Sequence, residues 1–512
     1  MDENTPKKKI IIVGGGVSGL SAGIYGQLHG FETHIFERNP NLGGLCVGWE
    51  RKGHKIDGCI HWLTGTREGD DINKMWRTVD AFDQEDIIDS DNFGSIEYKG
   101  KTFTFWKDLD KLEKELIGIS PEDKRIIKKL KRYTIKFAKM PLPMEKPPSQ
   151  LNLIELIKFG CSMIPYLIPF LYATRISQEQ FAKKFKSEDL RYVLSKIVPG
   201  DGNLYTTLYA FGSFALNNGG IPKGGSEHLV ARMAKRYENL GGTIHLNKEV
   251  KQLVVKNKKV KEILLSNNEK VEGDYFVTCC DVFEATRKIL IASKKDVHFT
   301  KRFIKKDRYP TPSCVYISYL ADAKKLKDLN ITTTFEFECS PIHIAHEKEK
   351  SIKIRNYLYD ETFVKDGKVL ITVLIHQRDK DFYYWERLRK DYKNYINVKN
   401  NIATIVKGEI ERKFPSLGEI ETLDVVTPMT YKRYVNAHRG AYMPWSYTYK
   451  GRQLMHNSKV KGINNLLISG QWIIMPGGLP IALMSGKFAI QHILKKEHKP
   501  IYLNKEKEEK LC

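Results

Sequence analysis

The sequence lacks several features that define particular protein classes. Its eight cysteines are scattered, with no C-x-x-C pair and no Cys/His spacing typical of a metal site, so we expect neither a redox-active disulfide nor a bound metal. No run of about 20 apolar residues is free of interruption, and the first residues leave no space for a signal peptide before the first predicted strand. These absences predict a soluble cytoplasmic protein with reduced thiols.

Acidic residues are too few to balance the basic ones. The chain has 84 Lys and Arg residues but 61 Asp and Glu residues, which gives a formal net charge of +23. Such a charge favours anionic partners in general, but no stretch combines basic and aromatic residues as nucleic-acid-binding modules do. We therefore expect no nucleic acid partner. Two interpretations stay open: attraction to an anionic membrane surface, or a lysine excess spread over solvated helix faces.

The most informative segment is the N-terminal KIIIVGGGVSGLSAG, residues 9–23. Ile10 to Val13 predict a buried parallel strand. Gly14, Gly16 and Gly19 follow in G-x-G-x-x-G spacing and lead into a helical pattern. In this arrangement the glycines permit a tight turn, a close approach of backbone to a pyrophosphate and close packing of helix on strand. The segment predicts a dinucleotide site at the N-terminus of a helix.

The residues after the next predicted strand support this interpretation. Glu37 follows Thr33 to Phe36 at the distance expected for a carboxylate that binds an adenosine ribose. Because a carboxylate would repel a ribose 2′-phosphate, NADP is not expected as the resident nucleotide. Arg38 and the pair Gly43 and Gly44 complete a pattern that resembles FAD-binding proteins of the glutathione-reductase-like class. The predicted fold class is α/β, with a Rossmann domain and a second lobe of mixed sheet and helices.

The chain is long enough for two lobes. The positions of the motifs predict that each lobe is built from separate segments of the sequence. Strand-rich sequence returns after Gly219, and a closing motif, NLLISGQWIIMPGGLP, predicts a last buried strand and a glycine turn before a helix. We predict a discontinuous FAD-binding domain from residues 1–110, 220–290 and 456–512, and a substrate-binding, helical lid domain from residues 111–219 and 291–455.

One apolar segment, Leu151 to Tyr172, needs a separate interpretation. Lys158, Gly160, Pro165 and Pro169 interrupt it, and proline bends a helix by removing a backbone donor. We therefore predict a kinked, half-buried segment rather than a membrane span. It would belong either to the internal core or to a surface that dips into a bilayer to collect a lipid.

These motifs together resemble the flavin-containing amine oxidase superfamily, and within it the branch of phytoene desaturases, carotenoid isomerases and retinol saturases. The resemblance rests on GGGVSGLSAG, ERNPNLGG, HKIDGCIHWL, IPKGGSEHLVARMAKRYENLGGTIHLNKEV, TPMTYKRYVNAHRGAYM and SGQWIIMPGGLPIALMSGKFA, which occur in the family's order. It implies FAD as the cofactor. Gln471, where relatives commonly carry Asp or Glu, departs from the family pattern, as does Leu45, where relatives often carry arginine.

The resemblance also implies which residues contact FAD. A different group of residues would contact each part of FAD: the pyrophosphate, the ribose, the adenine, and the flavin with its ribityl chain. The implied cofactor-binding residues are Gly14, Gly16, Gly19, Glu37, Arg38, Gly43, Gly44, Val250, Gly470, Gln471, Gly478 and Leu479. For proton transfer beside the flavin the first candidates are His61 and its neighbour Trp62, which follow the second glycine-rich turn. An ordinary core or surface histidine is the alternative interpretation of His61.

The implied activity is that of an FAD-dependent oxidoreductase acting on carbon–carbon double bonds of a long apolar substrate, such as a carotenoid, isoprenoid, retinoid or unsaturated fatty acyl chain. Two alternatives remain: a flavin amine oxidase, and a non-catalytic peripheral membrane protein that holds FAD. The sequence has no second G-x-G-x-x-G, so we expect no nicotinamide domain and a diffusing electron partner such as a quinone, oxygen or a reduced carrier. Desaturation, saturation and isomerisation are not distinguished.

Overall fold

The computed structural model describes residues 7–198, 202–283, 289–290 and 308–500. The outer ends of the predicted domains, at 1–6 and 501–512, and the start of the second lobe lie outside the described residues. The strands are β1 (Lys9–Val13), β2 (Glu32–Phe36), β3 (Gly48–Arg51), β4 (His54–Asp57), β5 (Ile87–Ile88), β6 (Asn92–Tyr98), β7 (Lys101–Trp106), β8 (Ile221–Pro222), β9 (Thr243–His245), β10 (Val250–Lys256), β11 (Lys259–Leu265), β12 (Lys270–Glu272), β13 (Tyr275–Thr278), β14 (Ser313–Asp322), β15 (Thr334–Ile344), β16 (Glu347–Asn356), β17 (Val364–Lys365), β18 (Lys368–Gln377), β19 (Glu421–Val426) and β20 (Leu466–Ile468).

The α-helices are separated in places by short 3₁₀ turns, and α3 to α9 follow one another without an intervening strand. They are α1 (Val17–Leu28), α2 (Asp71–Thr78), α3 (Leu109–Ile119), α4 (Lys124–Ala138), α5 (Leu153–Met163), α6 (Leu167–Thr174), α7 (Gln178–Ala182), α8 (Glu188–Leu194), α9 (Leu204–Ala215), α10 (Gly225–Asn239), α11 (Ala323–Asp328), α12 (Asp379–Leu388), α13 (Tyr392–Lys413), α14 (Pro428–Val435) and α15 (Leu479–Lys496).

A five-stranded sheet forms the centre of the dinucleotide-binding region. Its order is β20-β13-β1-β2-β9, and every neighbouring pair is parallel. Ile10, Ile11 and Ile12 of the middle strand are fully buried, as expected for a strand covered on both faces. Helices α1 and α15 pack closely against each other because Gly486 leaves space for the carbonyl of Ser18. The α/β class predicted from the sequence is confirmed.

The second large element is an eight-stranded sheet in the order β19-β14-β18-β16-β15-β6-β7, with β17 paired to β18. Its strands are mostly antiparallel, and β14 pairs with β18 along their whole length. Strand β14 is almost entirely buried, because α13 and neighbouring helices cover one face. The other face is turned toward the parallel sheet and forms part of the site described below.

Two placements differ from the expected organisation. The hairpin β6–β7, within the range 1–110 that we assigned to the FAD-binding domain, pairs with β15 of the eight-stranded sheet. Helices from α3 to α9, which we assigned to the lid domain, share one continuous hydrophobic core with the parallel sheet. Local patterns could not show this, because both placements depend on contacts between distant parts of the chain. The domain boundaries themselves stay a prediction.

The apolar segment is kinked as expected, but it is not part of the core. A 3₁₀ turn at Ile164–Tyr166 separates α5 from α6. In the most apolar part of the stretch Leu153–Thr174, where the mean hydropathy is 1.5, only 6% of the residues are buried. By length and composition alone, it is long and apolar enough to cross a membrane. This exposure contradicts the internal-core interpretation. Met163, Phe170 and Tyr172 are nevertheless partly buried against the core, so one side of the segment rests on the protein.

Candidate functional site

A cavity of about 1390 Å³ lies between the carboxyl ends of the parallel strands and the open face of the eight-stranded sheet. Sites at this edge of a parallel sheet are typical of doubly wound folds. Eleven of the twelve residues predicted to contact FAD line this cavity, and so do His61 and Trp62. The exception is Gly19, which packs against the Gly14 carbonyl behind the turn. The structure thus brings together residues from three separate stretches of the chain, although their individual contacts with FAD stay a prediction.

The N-terminal turn has the shape that a pyrophosphate requires. Gly14 adopts a φ of +107°, which only glycine tolerates well. A Cβ on Gly19 would overlap the carbonyl oxygen of Gly14, so the third glycine lets α1 approach the turn. The backbone N–H of Gly43 donates to the carbonyl of Gly15 at 2.9 Å. The second glycine pair is thereby held against the first turn.

The Glu37 carboxylate is fixed at the end of β2. One oxygen accepts a hydrogen bond from the Gly15 N–H at 2.8 Å, and the other accepts from the backbone and side chain of Asn39 at 2.9 and 3.0 Å. The residue is only 6% exposed. Because a carboxylate has about four acceptor positions, it retains capacity for a ribose hydroxyl while it braces the glycine turn.

The closing motif forms the opposite side of the cavity. Helix α15 begins at Leu479, with Gly478 as its N-cap at a φ of +85°. Its first turn lines the cavity, as does that of α1, so two positive helix ends face the same space. A half-buried Gln471 lies before this turn, and its amide approaches the carbonyl of Tyr442 at 3.4 Å.

A chain of serines joins the two turns and was not identified from the sequence. The Ser18 and Ser469 hydroxyls lie 2.6 Å apart, and Ser469 donates to the Ser485 hydroxyl at 2.9 Å. Ser485 also accepts from the N–H of Gly470 at 2.8 Å. These buried bonds connect α1, the end of β20 and α15. Serine has no distinctive sequence pattern in such a role, so only the spatial arrangement identifies it.

This donor set fits FAD. The glycine turns leave backbone N–H groups unobstructed by side chains at one end, and a second helix terminus offers positive potential at the other. Glu37 supplies an acceptor for a ribose, and the cavity exceeds the 300–1,000 Å³ typical of a drug-sized ligand. No group of three or more His, Cys, Asp or Glu residues within the described chain is arranged to bind a metal ion.

The turn that precedes His61 is held by a buried acid, Asp57, which the sequence analysis did not identify. The Asp57 carboxylate accepts from the N–H groups of Cys59 and Ile60 at 2.8 and 3.1 Å. It also accepts from the backbone and hydroxyl of Ser226 at 2.9 and 2.6 Å. Burial raises the pKa of Asp57, while these hydrogen bonds lower it. Asp57 thus fixes the turn that presents His61 to the cavity.

The cavity contains two histidines that are neutral at physiological pH. Removal from water lowers the pKa of His61 to about 3, with the positive charge of Arg355 as the next cause. Removal from water also lowers the pKa of His376 to about 4, and Lys353 contributes. A neutral imidazole accepts a proton or donates its single N–H. If His61 takes part in proton transfer near pH 7, it therefore begins as an acceptor.

Aromatic rings form an apolar part of the wall. Trp62 packs edge-on against Phe93 at 5.4 Å, and Phe93 in turn contacts Phe214 at 5.4 Å. On the other side, Trp445 packs against Trp472 at 4.9 Å. Rings that line the cavity thus also pack against one another, so the same aromatic residues form the wall and contribute to the core.

The fold and this site define a class of protein: a Rossmann-type oxidoreductase with a flavin dinucleotide site. Comparison with known proteins gives the family. The model of the flavin containing amine oxidoreductase family matches residues 17–494. The chain belongs to this family. It is an FAD-dependent oxidoreductase, and the resemblance inferred from its motifs is confirmed.

Individual relatives are distant, and some of them cover nearly the whole chain. A 1-hydroxycarotenoid 3,4-desaturase from Flavobacterium sp. (strain P99-3) is 22% identical over 94% of this chain and 98% of its own length. A 4,4′-diapophytoene desaturase from Methylomonas sp. is 21% identical over 96% of both chains. Among solved structures, an oxidoreductase from Methanosarcina mazei has a TM-score of 0.59 at 17% identity, over 94% of this chain and all of that one.

Proposed function

We propose that this oxidoreductase acts on carbon–carbon double bonds of a long apolar substrate, such as a carotenoid, isoprenoid, retinoid or unsaturated fatty acyl chain. The observation that carries the proposal is the single cavity of about 1390 Å³ that joins the flavin-binding turns to an aromatic wall. Such a space suits an extended apolar molecule laid beside a cofactor. Relatives named as carotenoid desaturases support the same class of substrate.

The protein's own residues have limited but definite roles in such a reaction. Bound FAD supplies the chemistry, because it accepts or donates two electrons as a hydride. The aromatic wall around Trp62 excludes water and orients the chain of the substrate. His61, which lines the cavity after the Asp57 turn and is neutral near pH 7, would accept a proton from the substrate. The ends of α1 and α15 favour negative charge in the cavity.

An amine oxidase is the second candidate for this fold. That activity calls for a flavin-facing lysine and a compact aromatic cage. The Lys353 ammonium in the cavity wall instead contacts the Glu336 carboxylate at 3.0 Å and the carbonyl of Lys196 at 3.2 Å. These observations favour the apolar substrate.

The anaerobic absorbance spectrum of the flavin tests this proposal in both redox directions. We expect the oxidised enzyme to bleach with a partly saturated isoprenoid such as phytoene, or the photoreduced enzyme to regain its colour with a conjugated polyene such as lycopene. An isomerase would change the polyene without a net change in colour, which chromatography of the extracted lipid would show. Putrescine serves as the amine control. A response to putrescine alone would contradict the proposal, and no response by flavin or lipid would favour the non-catalytic alternative.

We further propose that the apolar segment docks on an anionic membrane surface, from which the substrate is collected. Large apolar side chains cover the exposed side of this segment, and the most exposed of them is Ile168, at 78%. These residues are Leu153, Ile154, Leu156, Ile157, Ile164, Leu167, Ile168 and Leu171. An exposed apolar patch of this kind marks a protein or membrane contact.

Three contacts support docking rather than crossing. At the kink, the Tyr166 hydroxyl donates to the carbonyl of Lys139 at 3.0 Å. Near the C-terminal end of the segment, Lys184 donates to the Tyr172 hydroxyl at 3.0 Å, and Lys129 lies 3.8 Å from the centre of the Tyr172 ring. The middle and this end of the segment therefore rest on the same protein body, which favours an interfacial position.

The neighbouring helix α4 supplies the charge that an anionic surface would attract. Lys124, Arg125, Lys128 and Arg132 are exposed on it, and Tyr133 of the same helix packs against Tyr172. The segment also adjoins the cavity, because Phe170 contacts the cavity-lining Tyr205 at 4.9 Å. Each basic residue near such a surface contributes about 1 kcal/mol.

We place the protein at the cytoplasmic face of that membrane, since the seven described cysteines are free thiols, as is usual in a reducing compartment. A membrane-dissolved quinone would then be a convenient electron partner, with oxygen or a reduced carrier as the alternatives.

A further inference from the structure

The wall of the cavity opposite the flavin-binding turns is not apolar. It is formed by the open face of the eight-stranded sheet, where the pairing places Arg355 of β16 between Thr334 of β15 and Thr372 of β18. The same pairing places Lys353 beside Glu336. All five side chains belong to residues that line the cavity. A pure hydrocarbon would offer no partner to any polar group on this wall that the protein itself leaves unsatisfied, which is costly inside a protein.

Most of the charge on this wall is balanced internally. The buried Glu336 carboxylate contacts the ammonium groups of Lys353 at 3.0 Å and Lys196 at 3.4 Å, and it accepts from the Ser351 hydroxyl at 2.7 Å. Glu349 lines the same region, and the positive charge of Lys196 acts on it. Two lysines thus lie near two glutamates, and this part of the wall is close to neutral.

Arg355 is the exception. It is 8% exposed, and within the described part of the chain its guanidinium has no carboxylate partner. One nitrogen donates to the Tyr359 hydroxyl at 3.1 Å, while the buried Nε has no hydrogen-bond acceptor. The rings of Tyr357 and Tyr359 lie 5.5 and 5.3 Å from it. A buried guanidinium in this state is expensive unless a ligand supplies the missing anion.

A second unsatisfied group lies on the same wall. The Nε2 atom of His376 is buried without a partner, while its Nδ1 lies 3.3 Å from the Tyr442 hydroxyl. The positive charge of Arg355 also acts on His61 across the cavity. Arg355 and His376 therefore both line the cavity, and each has one buried nitrogen without a hydrogen-bond partner.

We propose that Arg355 binds a carboxylate at the end of an otherwise apolar substrate. A carboxylate matches the planar donor geometry of a guanidinium, and its single negative charge balances Arg355, which has no carboxylate partner among the described residues. A diphosphate head group would bring more negative charge than this wall leaves unbalanced. The inference rests on the proposed function, because it places the apolar part of the same molecule along the aromatic wall.

Binding of matched lipids to the FAD-loaded protein tests the assignment without turnover. Titration calorimetry would use oleic acid, oleyl alcohol and methyl oleate, each below its aggregation concentration. These lipids share one apolar chain and differ only in the polar group at its end. We expect the acid to bind at least about tenfold more tightly than the ester. Arg355→Met is expected to remove that preference, and Arg355→Lys to retain part of it. Arg387→Met, which removes an exposed arginine from α12, is the matched control and should bind like the wild type.

Each result bears on the assignment. Equal affinity of the wild type for the acid and the ester would overturn it, as would an unchanged preference in Arg355→Met. Loss of FAD from that variant would assign the arginine to the cofactor instead. Should Arg355→Met fail to fold, the wild-type comparison and Arg355→Lys still decide. Selective binding of the acid without any response in the redox assays would support the carboxylate site and contradict the proposed function.

Discussion

Replacing Gly19 with alanine is expected to abolish FAD binding. The added Cβ would overlap the carbonyl oxygen of Gly14. The backbone at Gly14 or at Gly19 could relieve this overlap only by moving α1 away from the strand that precedes it. Overlap of this kind costs about 1–3 kcal/mol or more, and it would fall on the turn that approaches the pyrophosphate. We expect FAD affinity to decrease at least roughly 100-fold. The measurement is the FAD content of the purified variant and its uptake on titration.

Two other glycines provide the comparison. At Gly16 a Cβ would lie 3.4 Å from the carbonyl oxygen of Gly43, so Gly16→Ala should weaken FAD binding less than Gly19→Ala. At Gly118, in α3, a Cβ would meet nothing within 4 Å. Gly118→Ala should therefore keep full FAD content and gain roughly 0.5–1 kcal/mol in the free energy of unfolding. Wild-type FAD affinity in Gly19→Ala would contradict the assigned role of the turn.

Replacing Ile154, Ile157 and Ile168 together with glutamate is expected to prevent membrane binding while leaving the fold intact. These side chains are 66%, 56% and 78% exposed, so little packing is lost. Each would lose roughly 2 kcal/mol of apolar burial on docking, and the added negative charges would oppose an anionic surface. We expect co-sedimentation with vesicles of phosphatidylcholine and phosphatidylglycerol to weaken at least roughly 100-fold.

A matched variant separates this effect from a general change in charge. Tyr392→Glu with Ile405→Glu alters exposed apolar residues of α13, at 58% and 42% exposure, away from the apolar segment, and should bind vesicles like the wild type. Raising the salt concentration should weaken binding of both proteins, because α4 is basic. If the triple variant still sedimented with the vesicles as the wild type does, the docking surface would lie elsewhere.

The parts of the site that the sequence predicts are those formed by neighbours in the chain. The strand, the turn at Gly14 and helix α1 follow one another directly, and Glu37 comes one strand later. The closing turn at Gly478 is likewise local, since a glycine pair and Pro480 precede a helical pattern. Such features depend on backbone conformations that particular residue types allow, and their spacing is visible without any tertiary contact.

The parts that were missed depend on distant pairing. The serine chain joins Ser18 to Ser469 across 451 positions. Arg355 becomes notable only when β15 and β18 place threonines on either side and no carboxylate within reach. The exposure of the apolar segment could not be predicted either, because its composition suits a core helix and a membrane-facing helix equally well. Pairing register and burial, rather than residue type, decide these cases.

The central claim is that the turns at Gly14 and Gly478 bind one FAD molecule in a single cavity. The most direct measurement is a structure of the purified protein with its cofactor, combined with chromatography of the released flavin. We predict one FAD per chain, with its pyrophosphate at the start of α1 and its ring beside the start of α15. A protein that takes up no FAD, or one that binds it outside this cavity, would contradict the account.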